Sequence, residues 1–112
     1  MFMRISWGRL NPGQWEAYEK SFTEGIDAAG QPGGLIMRVL CRDIDDPDTG
    51  YSLTWWESRE AMEAYEDSDA VHRELLPRIQ EHFAGAFVTN RLEVVLDRRY
   101  DELPVGQAPP RG

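Results

Sequence analysis

A chain of 112 residues, 41% of them hydrophobic, holds one domain around one modest core. Twenty acidic residues against twelve basic give a net charge of −8, a field that repels nucleic-acid phosphates and anionic membrane surfaces, and the arginines are scattered rather than gathered into a stripe. The longest apolar run is far short of the roughly 20 residues of a membrane span, and MFMRISWGRL places Arg4 where a signal peptide would be apolar, so a soluble cytoplasmic protein with neither a nucleic-acid nor a membrane partner is expected.

Phe2 to Leu10 alternates, Met3, Ile5 and Trp7 against Arg4, Ser6 and Gly8, the period of a strand buried mainly on one side. Asn11-Pro12-Gly13-Gln14 predicts a helix start, with Asn11 as the cap, Pro12 in the first helical position and Gln14 completing a capping box. Trp15, Tyr18, Phe22, Ile26 and Ala29 form an apolar stripe opposed by Glu16, Glu19, Lys20, Glu24 and Asp27, and Gly30 is a natural stop. After the turn cluster Gln31 to Gly34, the run Leu35 to Arg42 alternates again, Leu35, Met37, Val39 and Cys41 against Ile36, Arg38, Leu40 and Arg42. Cys41 stands alone, permits no intrachain disulfide and is expected to be buried and inert.

The stretch DIDDPDTG, residues 43–50, is turn chemistry that makes an antiparallel hairpin with the next strand. It is no calcium loop, since Pro47 interrupts it and Thr54 stands where the closing glutamate belongs; His72 and His82 have no cysteine partner set, so no metal is expected. Tyr51 to Trp56 is that strand, Tyr51, Leu53 and Trp55 alternating with Ser52, Thr54 and Trp56. Ser58 has the chemistry of an N-cap, with Glu60 in the first turn favoured by the helix dipole. The helix carries Met62 and Tyr65, falters at Asp67-Ser68-Asp69 and resumes with Val71, Leu75, Ile79 and Phe83, with Ser68 as a second cap, a kink at Pro77 and an end at Gly85. Glu57, Glu60, Glu63 and Glu66 step by three and are expected on a solvated face. Phe87 to Leu96 is the last strand, closing a domain over residues 1–98; residues 99–112 read as a flexible tail.

The order β-α-β-β-α-β predicts an α+β, ferredoxin-like antiparallel sheet with two helices on one face. The opposite face would be bare, and both strand patterns contain large apolar groups such as Trp56, Leu40, Phe2 and Val95. A homodimer formed sheet to sheet is the expected remedy.

In this setting residues 2–97 resemble the antibiotic biosynthesis monooxygenase-like domains of the dimeric α+β barrel superfamily. The resemblance is carried by Asn11-Pro12-Gly13, by Pro32-Gly33-Gly34, and above all by Trp56-Glu57-Ser58 followed by Glu60-Ala61, Ala64, Ser68 and His72. It implies a cofactor-independent monooxygenase acting on a phenolic, quinol-like or polyketide-type small molecule, or a non-catalytic small-molecule-binding or stress-related dimer of the same fold, with haem binding or degradation, resting on His72 and the aromatics, as a third alternative. In the haem-degrading branch an Asn, a second Trp and a haem-ligating His mark the site, and those places here hold Gly8 or its neighbours, Tyr65 and Leu75. In the polyketide oxygenases an Asn precedes the strand Trp; Ser52 takes its place here and Trp56 is retained.

A cofactor-free oxygenase needs a base, an anion stabiliser and a dry aromatic pocket, because the deprotonated substrate itself passes electrons to oxygen. His72 is the candidate base, the alternative being a surface histidine bonded to a neighbour. Trp56, Tyr65, Tyr51 and Phe22 are candidate pocket walls around a small aromatic ligand, with Arg38 or Ser52 as partners of an oxyanion. Core packing is the alternative for the aromatics, and the expected role of Trp55, Trp7 and Trp15.

Overall fold

The structure, a computed structural model, describes residues 1–100. Four strands, β1 (Phe2–Arg9), β2 (Leu35–Arg42), β3 (Thr49–Trp56) and β4 (Val88–Glu93), form one antiparallel sheet in the order β2-β3-β1-β4. One face carries α1 (Trp15–Ala29), α2 (Arg59–Glu66), a π-wound segment (Ala70–Leu75), α3 (Leu76–Ile79) and a 3₁₀ turn (Gln80–His82). This is the ferredoxin-like α+β arrangement expected from the element order. The tail expected from residue 99 lies outside the described residues from 101 on. Among the described residues no helix is long and apolar enough to cross a membrane.

The register fixes which side chains face the helices. Leu35, Trp56, Phe2 and Glu93 form one cross-strand row, Arg38, Thr54, Arg4 and Arg91 the next, then Leu40, Ser52, Ser6 and Thr89, and finally Arg42, Gly50 and Gly8. Two clusters fill the helix side: Trp56, Met62, Tyr65 and Val71 at one end, and Leu10, Trp15, Tyr18, Phe22, Leu75 and Ile79 at the other. Gly8 and Gly50 are the places where rings lie on the backbone, since a Cβ would stand 3.0 Å from Phe83 Cε1 and 2.9 Å from Trp15 Cζ3 respectively. Gly25 plays the same part between helices: a Cβ there would lie 3.2 Å from the Leu75 Cα, so α1 rides directly on the π-wound segment.

Several local expectations are corrected. The first helix begins at Trp15, not at Pro12: Gly13 has φ 76°, Gln14 N–H closes a turn on the Asn11 carbonyl at 3.1 Å, and the Asn11 amide donates to Glu81 O at 3.4 Å. A β-bulge between Leu35 and Met37 moves Leu35 to the helix side while Met37, Val39 and Cys41 stay on the other, and Cys41 is exposed rather than buried. Ser58 caps α2 as expected, accepting from Ala61 N–H at 3.1 Å, but the Ser68 hydroxyl turns back to donate to the Tyr65 carbonyl at 2.6 Å and caps nothing. Ahead of Pro77 the chain is wound as a π-helix instead of a kinked α-helix; Pro77, lacking an N–H, sits in the first turn of α3. The helical run ends at Phe83, whose backbone bridges Leu10, two residues before Gly85. β4 is shorter than expected and stops at Glu93.

Candidate functional site

Between the two clusters the inner strands offer short hydroxyl side chains, flanked by Leu40 on β2 and by Arg4 one row away. Ser52, Ser6 and Thr89 stand side by side on β3, β1 and β4, with the Ser6 and Thr89 hydroxyls 2.9 Å apart. Over this floor lies a cavity of about 130 Å³. Tyr18 and Phe22 of α1 wall one side, Val71, His72 and Leu75 of the π-wound segment the other, and Phe83 and Phe87 close the end. A cavity of roughly 150 Å³ holds one benzene, so the space is that of a single aromatic ring. The π winding contributes three wall residues within five positions, and such segments recur at functional sites.

The mouth is polar. His72 is exposed, and its Nε2 lies 2.8 Å from the Glu66 carbonyl. A carbonyl only accepts, so Nε2 carries the proton and Nδ1 of the neutral ring keeps its lone pair. The Glu66 carboxylate receives Arg4 Nε at 3.0 Å and Arg91 Nε at 3.3 Å, and Arg91 also reaches Glu63, which pairs with Arg59 at 2.7 Å. Three guanidiniums against two carboxylates leave one positive charge in this network, in a chain of net charge −8. Its exposed links are worth little to stability; the Arg4–Glu66 link, at 17% and 22% side-chain exposure, is the one that fixes geometry. Glu66 therefore lines the cavity instead of standing on a solvated face.

Of the residues singled out in the sequence, the structure brings His72, Ser52 and Phe22 together around the cavity. Trp56 is fully buried, its indole N–H donating to Thr54 Oγ1 at 2.8 Å and its ring 4.9 Å from that of Tyr65. Tyr65 is 5% exposed and accepts a hydrogen bond from Arg38 at 3.1 Å, with the Arg38 guanidinium over its ring and that of Phe22. These three make a rigid wall behind the cavity rather than its lining. Tyr51 lies on the opposite sheet face, stacked on Trp7 with centroids 6.2 Å apart and its hydroxyl donating to Asp43 at 3.3 Å. The hairpin aspartates serve their own loop: Asp43 Oδ1 accepts from the N–H groups of Asp45 and Asp46 at 2.8 and 3.0 Å, which holds its carboxyl below the usual range.

Sequence reasoning missed Arg4, Ser6, Glu66 and Tyr18. Arg4 and Glu66 are 62 positions apart, so no local pattern joins them; alternation in β1 sets Arg4 and Ser6 on one face without saying that helices cover it. Tyr18 was one member of an apolar stripe. It is 3% exposed, and burial pushes its hydroxyl up to about 12. Nearby, His82 is also buried, with Nε2 at 3.1 Å from the Ser21 hydroxyl and Nδ1 at 3.1 Å from Gln14 Oε1, a satisfied core histidine that ties the 3₁₀ turn to α1.

A family model described as antibiotic biosynthesis monooxygenase matches residues 1–73. No curated protein matches the chain. Among solved structures, an antibiotic biosynthesis monooxygenase superposes with TM-score 0.71 at 19% identity, over 86% of this chain and 100% of that one. Rv0793 from Mycobacterium tuberculosis gives 0.73 at 13% identity, covering 88% and 98%. A point mutant of MhuD holding two manganese protoporphyrin IX per active site gives 0.74 at 24% identity, covering 88% and 99%. At these identities the likeness establishes the fold.

The raised Tyr18 value has a stability consequence with a definite sign. The folded state disfavours the phenolate, so the associated stability is complete below the unfolded value near 10 and is lost as pH rises through about 12. Urea unfolding of the parent against Tyr18→Phe should show the parent losing about 2 kcal/mol more than the variant between roughly pH 9 and pH 12. Equal losses would contradict the burial of this hydroxyl.

Proposed function

The chain belongs to the antibiotic biosynthesis monooxygenase family, and from that premise we propose that it is a cofactor-independent monooxygenase acting on a phenolic or quinol-like small molecule in the cavity beneath α1 and the π-wound segment. The observation that carries the reading is the cavity itself: an apolar space of one ring's volume with a lone-pair-bearing histidine nitrogen at its mouth and hydroxyls on its floor. His72 Nδ1 takes a proton from the substrate hydroxyl. The phenolate passes an electron to oxygen, the two radicals combine to form a C–O bond, and the resulting hydroperoxide loses water. One oxygen atom stays on the ring, the other leaves as water, and the substrate supplies every electron. Arg4 favours the anionic form, and Ser52 and Ser6 bond its oxygen. Trp56, Tyr65 and Arg38 act as positioning residues behind Phe22.

The volume favours a monocyclic ligand over a polycyclic polyketide and over a tetrapyrrole. The exposure of His72 supports a second reading, a non-catalytic small-molecule-binding or stress-related dimer, because water competes for a base at an open mouth.

The other sheet face carries Met3, Ile5, Trp7, Val39, Leu53 and Trp55, and its Trp7, Met37, Val88 and Leu92 are 39–48% exposed. A flat apolar face of this extent fits a second copy packed sheet to sheet, which would also cover Cys41.

Oxygen uptake by metal-free protein over a panel of hydroquinones should exceed the spontaneous rate, fall at least about 100-fold in His72→Ala, and disappear in Ser6→Leu, which fills the floor. An uptake indifferent to both changes would refute the site. Light scattering should give twice 12.9 kDa for the parent and 12.9 kDa for Leu53→Arg; a monomeric parent would remove the dimer.

A further inference from the structure

Tyr18 is more than a core aromatic. Its ring is wedged among Trp15, Phe22 and Phe83 with centroids 5.6, 5.9 and 5.4 Å away, and Gly50 lets it lie close over the sheet, where a Cβ would stand 3.5 Å from its Cε2. Phenylalanine would pack there equally well. Yet the hydroxyl has no hydrogen-bond partner among the described residues, and it is not a sealed, unsatisfied atom either: its oxygen keeps some accessible surface, and the cavity is the space that the side chain lines. A polar group without a protein partner in so buried a side chain is a cost that a partner entering the cavity offsets.

We propose that the Tyr18 hydroxyl is the recognition donor at the inner end of the cavity, and that the ligand is a single aromatic ring bearing oxygen at two ends, one met by Tyr18 and the other by His72 at the mouth. This rests on the reading of the cavity as the ligand site. The packing of the ring fixes the position of the oxygen, so recognition reorders only the hydroxyl hydrogen and not the side chain. Burial keeps the group protonated through the physiological range and beyond, so it donates to a carbonyl, hydroxyl or phenolate oxygen alike. Ser52 and Ser6, opposite each other on the floor, bond the oxygen at the His72 end, where either hydroxyl can stand in for the other. A ligand with one oxygen satisfies only one end, and a hydrocarbon ring satisfies neither.

The test is calorimetric binding of two probes under anaerobic conditions, hydroquinone and toluene, to the parent, Tyr18→Phe and Ser52→Ala, with thermal melts to show that each variant is folded. Hydroquinone should bind about three- to tenfold more weakly to Tyr18→Phe, while toluene binding should not change; Ser52→Ala should affect hydroquinone less. Equal weakening of both probes, no weakening of either, or no hydroquinone binding to the parent would overturn the proposal. Oxygen uptake on the same samples separates it from the catalytic reading. A selective effect on hydroquinone binding without uptake supports recognition by Tyr18 and contradicts the monooxygenase, whereas uptake with an unchanged Tyr18→Phe affinity does the reverse.

Discussion

The distance between helices and sheet is set at two places and inherited everywhere else. Trp56 and Tyr65 hold it at one end, and Trp15, Tyr18, Phe22 and Phe83 at the other, with Leu76 packed against both groups. Between them β3, β1 and β4 present Ser52, Ser6 and Thr89, side chains too short to fill the space up to the helices, while Leu40 on β2 packs into the aromatic cluster. Protein interiors are filled to crystal-like density, so a gap of ring size in a domain this small calls for an occupant. The aromatic pillars explain why the gap does not collapse: closing it would require the rings over Gly8 and Gly50 to move into backbone.

The chemistry of the cavity follows from how its polar groups are held. Glu66 links the two sides, its carboxylate fixing Arg4 on β1 and its carbonyl fixing the tautomer of His72 on the π-wound segment. Because that segment lies under Gly25 of α1, the histidine is placed by helix packing as well as by its own hydrogen bond. On the proposed reading, charge developing on a bound ring meets the arginine at one end and the neutral Tyr18 donor at the other. Such a division suits a molecule that is deprotonated at one end and polarised at the other.

Much of this architecture was legible as periodicity. Alternation located all four strands, the Trp15 to Ala29 stripe located α1, and Ser58 marked the start of α2 because its capping bond is local. The faces were harder. In β1 the apolar set Met3, Ile5 and Trp7 points away from the helices, and the polar set Arg4, Ser6 and Gly8 lies beneath them, the reverse of simple burial. Alternation gives the two sets but not which one a helix layer covers. Asn11-Pro12-Gly13 carried helix-start residues, yet Gly13 adopts a positive φ that opens a turn instead. Nothing local marks the π winding before Pro77, and the Arg4–Glu66 pair depends on topology alone. For the site, the sequence singled out the junction of β3 and the second helical layer but could not distinguish Trp56, which is buried behind the cavity, from Tyr18, which lines it.

The central claim is that ligand binds on the helix side of the sheet, over Ser52 and Ser6. The most direct measurement is a set of intermolecular NOEs between hydroquinone and methyl-labelled protein under anaerobic conditions. The account requires contacts to Val71, Leu75 and Ile79, which wall the cavity. Contacts to Val39 and Leu53 on the opposite face, or no contacts to the cavity methyls with the protein saturated, would contradict it.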